Sequence, residues 1–114
     1  MEKKDSIYIK HILDAISRIG EYTQGIKYEN FMNDHLIQDG VIRQLEIIGE
    51  ASKRLSAEIK GKYLEIPWKD ITGMRDKLIH DYFGVDLDAV WDTVEKDIPM
   101  LKIKLQDSSW KRSL

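Results

Sequence analysis

Within the stretch Arg75-Asp-Lys-Leu-Ile-His80-Asp-Tyr82 the chain sets a guanidinium, an imidazole and a phenol. The first is a permanently charged planar fork that matches the oxygens of a phosphate. The second, with an unperturbed pKa of about 6.5, moves protons near neutrality. A group that grips phosphate close to one that shuttles a proton fits binding or cleavage of RNA. Each residue also has a plainer use. Arg75 can pair with Asp76, Asp81 or Glu95, His80 can bond the free carbonyls of a helix C-terminus, and Tyr82 can be a half-buried aromatic. His11 and His35 read as ordinary helix or loop residues, and Trp68 and Trp91 as core or interface anchors.

The elements that must position these groups are helical. Four segments carry a helical apolar period and no alternating strand pattern extends beyond a few residues, so the fold is expected to be all-α, a small antiparallel bundle of four to five helices. In the first segment Tyr8, Ile12, Ala15, Ile19 and Tyr22 recur at steps of four and three, widened by Ile9, Leu13 and Ile16. Asp5 or Ser6 is the expected cap at its start, and Gly25 lies just past its end. A second helix is expected from the Asn33–Gly40 region to about Ile59, along Val41, Leu45, Ile48, Ser52, Leu55 and Ile59, with Gly61 as its stop. Gly49 costs about 1 kcal/mol relative to alanine inside a helix, which predicts a close approach by another helix there.

The third helix is expected to open at Pro67, where a missing N–H costs nothing. Trp68, Ile71, Leu78 and Tyr82 share one of its faces, and Arg75 falls on that same stripe. A charge on a core-facing stripe is paired, snorkelling or functional. Gly84 marks a break, Asp86 is the expected cap of the last helix, and Leu87, Val90 or Trp91, Val94, Ile98, Leu101 and Leu105 form its stripe. Pro99 interrupts that pattern and predicts a kink or a division. One domain over residues 1–107 and a frayed tail over 108–114 complete the expected organisation.

Composition narrows the function classes. The chain has 114 residues, 42% of them apolar, and no cysteine, which removes disulfides and thiolate zinc sites and is compatible with a reducing, cytoplasmic setting. No uninterrupted apolar run suggests a signal peptide or a membrane helix. A net charge of −2 argues against a protein that coats nucleic acid through a broad basic surface. Any RNA contact is therefore local, from sources such as Lys53-Arg54, Lys60, Lys62, Arg75 with Lys77, or Lys102, Lys104, Lys111 and Arg112. No histidine stands at metal-ligand spacing from another, so neither a metal nor another cofactor is expected.

On an ideal helix Arg75 and His80 point about 140° apart. Either the helix distorts before Gly84, or the pair lines opposite walls of a groove completed by a second copy of the chain. In such a cleft Arg75 would hold the scissile phosphate and His80 would remove or return a proton.

The run Ile66-Pro-Trp-Lys-Asp-Ile-Thr-Gly-Met-Arg-Asp-Lys-Leu-Ile-His-Asp-Tyr-Phe-Gly-Val-Asp86, together with Ile47-Ile-Gly-Glu-Ala51, resembles the signature of the HepT-like ribonucleases of the HEPN superfamily. The resemblance implies a HEPN-like bundle that forms a two-fold homodimer, with Arg75 and His80 as the ribonuclease residues in a cleft at the dimer interface. It implies that Asp76 is the assisting polar residue. It further implies a toxin–antitoxin setting in which a small nucleotidyltransferase partner transfers AMP to Tyr82. The leading expectation is a metal-independent endoribonuclease toxin acting on RNA. The alternatives are a noncatalytic helical dimer serving as scaffold for the nucleotidyltransferase and, third, a ligand-binding bundle with Tyr82 and Trp91 at its pocket.

Overall fold

The computed structural model describes residues 3–80 and 84–106, with the side chains at positions 3, 79 and 80 outside that description. The described residues are all-α. They form α1 (Lys3–Thr23), α2 (Tyr28–Met32), α3 (His35–Lys53), α4 (Ala57–Lys62), α5 (Trp68–His80), α6 (Leu87–Asp92), a π-helical segment (Thr93–Asp97) and α7 (Ile98–Gln106). The four expected segments are present as α1, α3 with α4, α5, and α6 through α7. The short α2, which the apolar pattern does not announce, is an addition.

Helix α3 is the spine, packed against α1 on one side and α5 on the other. The periodic stripe of α1 makes the first contact: Ile9, Ile12, Ala15, Ile16 and Ile19 are buried, and they face a core that includes Val41, Leu45 and Ile48 of α3. Tyr8, Leu13 and Tyr22 flank that stripe half-buried. Phe31 of α2 is fully enclosed and stacks at a tilt on Trp91 of α6, ring centroids 5.1 Å apart. Each large aliphatic side chain so buried contributes about 1.5–3 kcal/mol.

The starts and stops follow local chemistry, with some departures. Asp86 caps α6 by accepting from the Ala89 amide at 3.1 Å, as expected, and Asp34 caps α3 by accepting from that of Ile37 at 3.1 Å. Gly25 follows α1 with φ of 71°, a left-handed conformation that costs glycine little. Asp5 and Ser6, however, lie inside α1 and not at its cap. Asp5 is buried and reaches α4, where its carboxylate accepts from the Ser56 amide at 2.9 Å and the Ser56 hydroxyl at 2.5 Å.

That contact explains a second correction. The stripe running to Ile59 is buried throughout, yet the helix ends at Lys53. Arg54 and Leu55 close it with tight bonds to the carbonyls of Ala51 and Ser52, and Ser56 starts α4 by capping the Ile59 amide. Periodicity carries across the break because both helices address one core. Gly61 consequently lies within α4 and not at its stop. Pro67 stands one residue before α5, its carbonyl accepting from the amides of Asp70 and Ile71 at 3.1 Å.

Pro99 is the second residue of α7, directly after the π-helical segment that separates α7 from α6. It lacks the N–H that the carbonyl four residues earlier would have used. The preceding turn is the wide π segment, in which the Ile98 amide reaches back to the Thr93 carbonyl. Val90, Val94, Ile98, Leu101 and Leu105 keep their common buried face through it. Among the described residues no helix is long and apolar enough to cross a membrane. The expected tail at 108–114 falls outside the described residues.

Candidate active site

Helix α5 brings Arg75 against α3, and a single glycine makes the approach possible. A Cβ placed on Gly49 would lie 2.1 Å from the Cβ of Arg75 and 2.7 Å from its Cγ. No side chain fits there. The predicted close approach at Gly49 is thus a seat for the stem of Arg75, which leaves its side chain 24% exposed on a stripe otherwise formed by Trp68, Ile71 and Leu78.

The guanidinium is held from two sides. Nη2 pairs with Glu50 Oε2 at 2.8 Å, and Nη1 donates to Asp76 Oδ1 at 3.0 Å. Glu50 also accepts from Arg54 Nε at 3.0 Å, and Asp76 accepts from Lys53 Nζ at 3.2 Å. The resulting row, Lys53, Asp76, Arg75, Glu50 and Arg54, holds three cations and two anions, a local excess of one positive charge. The hydrogen bond from Arg75, reinforced by that from Lys53, keeps the Asp76 carboxyl below the usual carboxylate range.

Arg75 retains capacity to bind an anion. A guanidinium carries five N–H donors, of which two are used by these carboxylates. Its Nε is buried and has no hydrogen-bond partner among the described residues. An orphaned buried donor costs on the order of 1–3 kcal/mol. With Nε enclosed, an incoming phosphate would meet the Nη hydrogens that Glu50 and Asp76 leave over, on a side chain 24% exposed.

The other predicted residues are placed unequally. His80 is the last residue of α5, on the same uninterrupted helix as Arg75, so no distortion intervenes between positions 75 and 80. Its side chain is outside the description. Tyr82 and Asp81 lie outside the described residues altogether. Asp76 is hydrogen-bonded to Arg75. Of the pairing candidates read from the sequence, Asp76 is used, whereas Glu50 was not among them. The proximity of Glu50 to Gly49 was its only local signal.

A groove of about 330 Å³ opens beside Arg75 between α1 and α3, lined among others by Tyr8, His11, Arg43, Glu50 and Arg54. His11, read from the sequence as an ordinary helical residue, therefore shares a concavity with Arg75. Tyr8 meets His11 edge to face, ring centroids 6.3 Å apart and planes at 89°. The Tyr8 hydroxyl, followed by Glu50, holds the Arg54 proton more tightly than usual.

Comparison with known proteins identifies the family. Residues 12–107 match the model of the family described as Ribonuclease HepT-like. A protein of Thermococcus cleftensis named "Probable ribonuclease HepT" is 48% identical over 106 residues, covering 93% of this chain and 96% of that one. A candidate RNase of Caldanaerobacter subterraneus subsp. tengcongensis is 44% identical over 100 residues, 88% of this chain and 89% of the relative. A Methanocaldococcus jannaschii protein, named as a gamma-glutamylcyclotransferase and candidate RNase, is 51% identical over 102 residues; the match spans 90% of this chain but 46% of that longer protein. No solved structure gives a significant match. With the family match spanning most of the chain and the helices and the Arg75 seat in place, the chain belongs to the HepT-like ribonuclease family.

Proposed function

We propose that the chain is a metal-independent endoribonuclease and the toxin of a toxin–antitoxin pair, with Arg75 and His80 as its catalytic residues. The single observation that supports this most is the seat of Arg75: Gly49 admits its stem and Glu50 and Asp76 orient its fork. In this reading Arg75 holds the scissile phosphate and offsets the charge that grows on it. His80 takes the proton of a ribose 2′-OH as that oxygen attacks phosphorus, or returns a proton to the departing 5′-oxygen. Asp76 assists by holding Nη1 of Arg75.

Two copies of the chain complete the cleft. By the helical period, positions 75 and 80 of α5 face about 140° apart, a separation that a second subunit would bridge. No side chain of α5 described from Trp68 to Leu78 is fully buried, although Trp68, Ile71, Met74 and Leu78 are apolar. A two-fold partner would cover such a helix. Light scattering is expected to give about twice the 13.4 kDa chain mass; a clean monomer that cuts RNA overturns the shared cleft.

Control is assigned to Tyr82. Transfer of AMP from ATP to its hydroxyl by a nucleotidyltransferase antitoxin would set a bulky phosphate near the cleft, where like charge and bulk exclude RNA. Tyr82→Phe is expected to cut RNA yet resist silencing, and mass spectrometry of the treated wild type should find AMP on Tyr82. Silencing of Tyr82→Phe with ATP would refute this.

A noncatalytic scaffold is the second reading, favoured by the two carboxylates that already occupy Arg75. Incubation with total cellular RNA in the presence of EDTA separates the two. Cleavage that persists in chelator and vanishes in His80→Ala supports the enzyme; an inert wild type supports the scaffold.

A further inference from the structure

We propose that the groove between α1 and α3 is a nucleotide subsite for single-stranded RNA, seating the base next to the phosphate held at Arg75. The inference rests on RNA being the substrate. Its first support is continuity: Arg75 forms one end of the groove, so whatever binds there is adjacent to the proposed reacting phosphate. The volume, about 330 Å³, is at the small end of ligand sites and suits one nucleotide better than a folded domain of RNA.

The lining is chemically matched to a nucleotide. Tyr8 and His11 stand one turn apart on α1 and meet edge to face, and His11 is exposed. Aromatic faces of this kind hold unstacked bases with little regard to sequence. Arg43 of α3 and Arg54, just past its end, also line the groove. Glu50 links Arg54 to Arg75 through its two oxygens, at 3.0 and 2.8 Å, so two guanidiniums are fixed side by side along the floor. Arg43, Arg54 and Arg75 outnumber Glu46 and Glu50 in this groove, although the whole chain carries a net charge of −2. The local basic contact that the composition demanded would therefore lie beside Arg75, with His11 as the residue that stacks on the base.

The test measures the anisotropy of a fluorescein-labelled, mixed-sequence RNA decamer on titration with the full chain carrying His80→Ala, which prevents cleavage. Adding His11→Ala, at an exposed position that should not disturb the core, is expected to weaken binding about tenfold, within the range for loss of one base–aromatic stack. His11→Phe should restore most of it, because stacking and not proton transfer is at stake. Arg54→Gln should weaken binding severalfold and flatten the salt dependence. In a chain that retains His80, His11→Ala should raise KM more than it lowers kcat. If wild-type cleavage depends on His80 but His11→Ala and Arg54→Gln bind within twofold of the parent, the subsite is wrong while the ribonuclease reading stands. If wild type binds the decamer and loses it on His11→Ala yet never cuts RNA, the subsite stands and the catalytic assignment falls. A parent chain that does not bind the decamer overturns the subsite.

Discussion

The two faces of α3 are built on opposite principles. Toward α1 the contact is aliphatic: Ile9, Ile12, Ala15, Ile16 and Ile19 interlock with Val41, Leu45 and Ile48, all nearly or wholly withdrawn from water. Toward α5 the contact is comparably extensive, but its apolar residues are only half-buried and its rim is charged. A glycine replaces a side chain, the stem of Arg75 fills the gap, and five alternating charges run along the rim. Dense apolar packing tolerates no vacancy and performs no chemistry. The second face gives up buried area so that a cation can be held oriented and still reach a ligand. One helix thus separates the stabilising seam from the proposed reacting one, and the separation can be tested.

The largest effects come from striking each seam at its centre. Ile12→Ala, which empties a fully buried site, is expected to cost about 2–5 kcal/mol, a large part of a typical domain's total stability; urea or thermal unfolding followed by circular dichroism measures it. Arg75→Ala should lower RNA cleavage by about 10²–10³-fold while shifting the unfolding midpoint far less than Ile12→Ala does. Equal destabilisation by the two would mean that the seams do not divide stability from chemistry. Arg75→Lys should recover only part of the activity, because an ammonium does not reproduce the planar fork.

Two glycines sharpen the same contrast at intermediate size. Gly49→Ala gains helix propensity but drives a methyl into Arg75, and overpacking of that kind costs about 1–3 kcal/mol. Gly20→Ala, in α1 with no neighbour within 4 Å of the added methyl, should stabilise by about 0.5–1 kcal/mol. Melting temperatures that move in opposite directions support the close seat at Gly49. A Gly49→Ala protein as stable as wild type would show that α5 simply slides away.

The smallest effect is electrostatic. Because Arg75 and Lys53 lower the folded-state pKa of Asp76, its carboxylate stabilises the folded state above the ordinary carboxylate value of about 4, and that contribution disappears as pH falls through the lowered folded value. Asp76→Asn should therefore melt slightly below wild type at pH 7, and the gap should close in strong acid. Solvent screening keeps the difference modest. A gap that widens in acid would contradict the pairing.

Much of this was legible in the residues themselves, for reasons that differ by element. The stripes of α1, α3 and the last helix, the cap Asp86 and the left-handed Gly25 are local: each follows from residues within a turn or two of one another, where spacing alone decides which groups meet. Gly49 could be read as a close approach because a glycine inside a helix has a cost that something must offset. The Arg75, Asp76, His80 and Tyr82 set was recognisable as a family signature. The break at Arg54–Ser56 was not legible, because its cause is Asp5, 51 positions away. Nor did any spacing name Glu50 as the carboxylate that holds Arg75, or His11 as a wall of the groove beside it. Those pairings depend on how far one helix slides and rotates against its neighbour. That register is decided only when the whole core closes, with Gly49 letting α5 descend until the guanidinium of Arg75 meets the carboxylate of Glu50.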